Sequence, residues 1–115
     1  MNIIAKSNDM NVRDLYFYTM NPMVEKMVEH AGETIEMDGW VVYDGSDSPE
    51  KVRPILCVKT SSGTYLASNS ATFVKAFQDI VDLFNESVDG ESFTRFKVCK
   101  GVSKGGREFI TCMLD

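Results

Sequence analysis

The chain has 115 residues, 43% hydrophobic and 25% charged, with a formal net charge of −5, which is the size and balance of one folded domain with its own core. No stretch approaches the roughly 18 apolar residues that a membrane span needs, and the opening MNIIAKSNDM lacks both the apolar length and the small-residue cleavage site of a signal peptide. The expected location is therefore the cytoplasm, with no membrane partner.

In chain order, residues 10–20 (MNVRDLYFYTM) suit a short helix, with Val12, Leu15, Tyr16 and Thr19 near helical spacing, although Tyr16, Phe17 and Tyr18 in a row also suit a strand. Asn21 before Pro22 predicts a second helix running to about His30, because asparagine caps and proline fits the first helical position. After Gly32 the pattern turns to strands. Residues 33–43 (ETIEMDGWVVY) read as a first strand with a bulge or bend at Gly39, and 44–52 (DGSDSPEKV) as a long loop of turn-forming residues. A second strand follows at 53–60, a turn at 61–63 and a third strand at 64–68.

Ser68, Asn69 and Ser70 then offer caps for the clearest helix in the chain, where Phe73, Phe77, Ile80 and Phe84 with Val74 and Val81 form one apolar stripe. Residues 93–101 and 107–114 predict two final strands joined by VSKGG. Five short strands with a helix between the third and fourth, after a short helical extension, match the element order of an OB-like Greek-key barrel. The reading is mainly β with α: one domain over 1–115, divided into an N-terminal extension (1–31) and an OB-like barrel (32–115).

Cys57, Cys99 and Cys112 are odd in number, far apart and set in apolar runs, which predicts free core thiols. The only histidine, His30, is remote in sequence from all of them, so no metal site, cofactor or Cys/His nucleophile is expected. Glu33, Glu36 and Asp38 lie close together, but nothing supplies a nucleophile or metal partner for them, and an enzyme is not expected.

The last hairpin carries the charge signal. Arg95, Lys97, Lys100, Lys104 and Arg107 fall within a span containing no acid, while the acids concentrate in 25–50 and 79–91. Alternation puts Arg95, Lys97 and Cys99 on one face of the first strand and Phe96 and Val98 on the other; on the return strand Arg107, Phe109, Thr111 and Met113 share a side. Lysines on such a hairpin can serve simply to block edge-to-edge aggregation. Segregated charge instead favours an anionic partner.

The segments GETIEMDGWVVY, VKTSSGTYLASNSATFVKAFQDIVDLF and FTRFKVCKGVSKGGREFITCML resemble the single-stranded-DNA-binding proteins of small protein-primed tailed phages. The resemblance rests on Gly32 to Glu36, Gly63 to Ser70, Asp79 to Leu83, Phe96 to Val98 and Gly101 to Gly105, and covers about residues 32–114. It implies a phage replication protein in the host cytoplasm that coats displaced single strands without catalysis or sequence specificity, alongside other phage replication proteins. Such binding needs cations along the phosphates and rings on which bases stack. The cations expected are Arg95, Lys97, Lys100, Lys104 and Arg107, then Arg53 and Lys59, and the rings are Trp40, Tyr43 and Tyr65; Phe96 and Phe109 are assigned to the core. Residues 1–31 have no counterpart in the resemblance, and their exposed Met20, Met23 and Met27 would either pack on the barrel, leaving a monomer, or build a small homo-oligomer. The rival is a small acidic phage protein that binds and inhibits a host protein through Glu25 to Glu50.

Overall fold

The computed structural model describes residues 2–48 and 50–115; Pro49, inside the expected 44–52 loop, lies outside the described residues. The elements run β1 (Asn2–Lys6), α1 (Val12–Thr19), β2 (Glu25–Lys26), a 3₁₀ turn (Met27–His30), β3 (Thr34–Asp44), β4 (Pro54–Thr60), β5 (Tyr65–Ser68), α2 (Ala71–Asn85), β6 (Arg95–Val102) and β7 (Glu108–Met113). The chain is mainly β with two α-helices, and its sheet is mixed and curled into a half-barrel. Among the described residues seven strands join in the order β2-β5-β4-β3-β6-β7, with β1 on β3. β2 runs parallel to β5, and the other pairings are antiparallel.

The long strand β3 produces the curl. One edge pairs with β4 from Met37 to Asp44, while the other is shared, Thr34–Glu36 going to β6 and Val41–Asp44 to β1. Between these stretches the register shifts: Met37 lies opposite Thr60 and Gly39 opposite Lys59, so Asp38 is surplus. This is the bulge expected at Gly39, and it changes which parity faces inward. Ile35 and Met37 point into the main core before it, and Trp40 and Val42 after it. Tyr18 explains the glycine, because a Cβ on Gly39 would stand 2.5 Å from the Tyr18 hydroxyl oxygen.

Two apolar layers result. The inner one gathers Trp40, Val42, Leu56, Val58 and Leu66 beneath Phe73, Val74 and Phe77 of α2, with Phe96, Val98, Ile110 and Cys112 closing it from the last hairpin. Ser70 caps α2 by accepting the Phe73 N–H at 3.3 Å. The outer layer buries Val41 and Cys57 beneath Tyr18 of α1, with Leu15, Tyr43, Tyr65 and Ala67 packed around them.

The N-terminal segment differs from its expected form. The 10–20 segment is the helix α1, started by a capping box in which Asn11 Oδ1 accepts the Asp14 N–H at 2.8 Å. Its inward stripe is half-buried Leu15 and buried Tyr18, while Val12 and Tyr16 face solvent. The expected helix from Asn21 to His30 is instead a two-residue strand and a 3₁₀ turn. Asn21 does cap locally, accepting the Met23 N–H at 2.8 Å, but no helix propagates from it. Met27 is fully buried in the main core rather than exposed, whereas Met20 and Met23 face solvent. The extension is therefore not purely helical: β1 and β2 extend the expected five strands to seven.

Candidate nucleic-acid interface

The hairpin β6–β7 follows its expected alternation. Phe96 and Val98 are buried on the core side, Arg95 and Lys97 are exposed on the other, and Cys99 is half-buried among them. The hairpin turn is closed by the Ser103 N–H to the Arg107 carbonyl (2.9 Å) and by Gly106 at φ +81°. Lys104 and Arg107 are exposed at this tip.

Acids reach the hairpin cations in space, two from outside the hairpin and one, Glu108, from its return strand. Arg95 meets Glu36 of β3 at 3.8 Å and also pairs with Asp115, while Lys100 lies 3.7 Å from Glu108. These pairs are exposed, so each is worth no more than about 1 kcal/mol and is open to competition from another anion. Lys97, Lys104 and Arg107 have no ion-pair partner among the described residues. Arg53 and Lys59 belong to β4 and its approach rather than to the hairpin. The Arg53 side chain is exposed, with its backbone N–H donating to Asp44 Oδ1 at 3.0 Å, and Lys59 is half-buried opposite Tyr65.

The ring assignments require correction. Trp40 is only 7% exposed and packs edge-on against Phe77 with centroids 5.4 Å apart, because the bulge before it turns its side chain inward. Tyr43 and Tyr65 do point outward, but α1 covers that face. Tyr65 meets Tyr18 edge-on at 5.2 Å and stacks on Phe17 at 6.1 Å, and Tyr43 Oη donates to the Thr19 carbonyl at 3.5 Å. Burial raises the pKa of both phenols above the ordinary tyrosine value.

Phe96 is a core residue as expected, at zero exposure, but Phe109 is not: it is 37% exposed on the same face as Lys97. Its ring lies over Gly101, its cross-strand partner, where a Cβ would come within 2.5 Å of the ring. Two signals for this were present in the sequence, the alternation that groups Phe109 with Arg107 and a glycine at the register position opposite. Sequence reasoning missed the ring by treating an aromatic in a strand as core by default.

Cys57 and Cys112 are buried and their thiols are pushed up to about 12 by burial; with Cys99 they are free. Among the described residues no group of His, Cys, Asp and Glu could hold a metal ion, and no helix is long and apolar enough to cross a membrane. His30 bridges two acids, Nε2 to Glu25 at 3.0 Å and Nδ1 to Glu33 at 3.1 Å, beside a cleft of about 500 Å³ that Glu36 also lines. No known protein family, curated protein or solved structure matches the chain.

Proposed function

We propose that this protein binds single-stranded DNA without catalysis, holding phosphates with Lys97, Lys104 and Arg107 and resting a base against Phe109. The observation that carries the reading is that this one exposed face combines cations without ion-pair partners among the described residues with a partly exposed ring. Phosphate neutralisation supplies affinity without sequence preference, and a ring face accepts any base. We read the order β5-β4-β3-β6-β7, with α2 joining β5 to β6, as an OB-like barrel left open between β5 and β7. A role in coating displaced strands during phage replication follows from the resemblance described above.

Titration of a labelled oligo-dT at increasing salt tests the proposal. Affinity should fall with salt, and Lys97→Ala or Lys104→Ala should each reduce the log–log slope by about 0.7, the value for one phosphate contact on a single strand. Phe109→Ala should weaken binding by about 1–3 kcal/mol at all salt concentrations. Affinity that ignores salt and all three substitutions would overturn the assignment.

The acidic cleft around Glu25, Glu33 and Glu36 favours a second reading, in which the protein occupies the nucleic-acid site of a host protein. Nuclease-resistant capture of a host nucleic-acid-binding protein, with no oligonucleotide binding, would select it.

A further inference from the structure

We propose that the cleft between β5 and β7 receives one unpaired base of the DNA strand held by the hairpin, an inference that rests on the single-stranded-DNA reading above. The two strands do not pair among the described residues, and the seam between them opens to about 580 Å³, a volume typical of a small-ligand cleft. Phe109 forms one wall, Ile55 and Ala67 line the other, and Val28 stands at the side. Aromatic and aliphatic walls of this kind accept the flat face of a base.

The polar end of the cleft is formed by Ser68, Asn69 and Ser70. Both hydroxyls are engaged: Ser68 Oγ accepts the Ser70 N–H at 3.1 Å and Ser70 Oγ the Phe73 N–H. Asn69 is exposed, and its side chain makes no hydrogen bond among the described residues. Its amide presents a donor beside an acceptor, the pair that the edge of a base can match. In a duplex that edge is already paired, so the cleft selects a single strand.

Charge complementarity identifies the occupant as nucleic acid rather than an apolar peptide. Arg107 precedes Phe109 by two residues, about 7 Å along an extended chain, so a base lying on the ring leaves its flanking phosphate near Arg107 and Lys104. Glu108, the acid in the cleft wall, lies 3.7 Å from Lys100, and Lys26 adds a cation at the opposite side.

The test compares oligo-dT with an abasic strand of equal length, using fluorescence anisotropy on the full chain. Asn69→Ala removes the edge contact; Asn69→Leu also crowds the cleft, and both alter an exposed residue, with folding checked by circular dichroism. Asn69→Leu should weaken oligo-dT binding at least about fivefold, the lower end of one stacked base, Asn69→Ala should do so less, and neither should change abasic-strand binding. Wild-type affinity for oligo-dT in both variants, while Lys97→Ala and Lys104→Ala still weaken it, would overturn the cleft and leave the hairpin assignment standing. Equal weakening on the abasic strand would also overturn it, and failure of the wild-type protein to bind either strand would remove both readings together.

Discussion

Trp40 and Phe109 exchange the places that their sequence contexts imply. Trp40 sits in a run, Trp-Val-Val-Tyr, that presents alternate faces of a strand, but its direction depends on a bulge whose position is visible only as a glycine. Phe109 follows simple alternation and lies outward, where Gly101 leaves room for its ring. That basic side chains gather exposed on the last hairpin was legible from the sequence, whereas their partners were not, because Glu36 and Asp115 reach Arg95 through strand pairing and chain return. The lone tryptophan therefore reports the fold rather than the ligand. Its emission should stay essentially unchanged when oligo-dT saturates the protein and shift to the red in denaturant; strong quenching by oligo-dT in the folded protein would contradict its place beneath α2.

At the scale of elements, β3, β4, β5, α2, β6 and β7 each fall close to their expected bounds, since strand alternation and the phenylalanine stripe are strong local signals. Residues 2–6 and 21–30 were not legible in the same way. β1 takes its conformation from pairing with Val41 to Asp44, a contact that no local pattern announces. In 21–30 the Asn-Pro signal makes only a turn, because the chain must place Met27 in the core and run Glu25 and Lys26 alongside β5. His30 fastens this segment through its two carboxylates. The hydrogen bond to Glu33 is the largest cause raising its pKa above the ordinary value, with Glu25 adding to it and partial burial opposing it. Its contribution to stability is therefore fully present below the unfolded value near 6.5 and is lost as pH rises through the higher folded value. The urea midpoint should be higher at about pH 6 than at about pH 9, and His30→Gln should flatten that difference; an unchanged pH profile in the variant would exclude the bridge as its source.

Over the whole molecule, β3, β4 and β5 carry apolar residues on both faces, so α1 and α2 pack on opposite sides of the same strands. The second buried face exists only because α1 is placed on it. Sharing strands couples the layers. Tyr18→Ala, which empties the outer layer, should lower global stability by about 3 kcal/mol while unfolding remains one transition by both near- and far-ultraviolet circular dichroism; separate transitions would show that the N-terminal layer melts independently. The charge distribution also belongs to this scale. Lys97, Lys104 and Arg107, without ion-pair partners among the described residues, face out from the last hairpin, while Glu25, Glu33 and Glu36 gather at the cleft beside His30, and the Arg95–Glu36 pair joins the two groups.

The surplus residue Asp38 makes the length of the strand a matter of odd and even. Taking it away would leave Ile35, Met37, Trp40 and Val42 evenly alternating and all inward, whereas flattening the bulge with Asp38 kept would turn the indole out to water. The strand should therefore tolerate loss of Asp38 but not of Glu36 or Val41, while the loop before β4, which answers to no such parity, is free to grow or shrink one residue at a time.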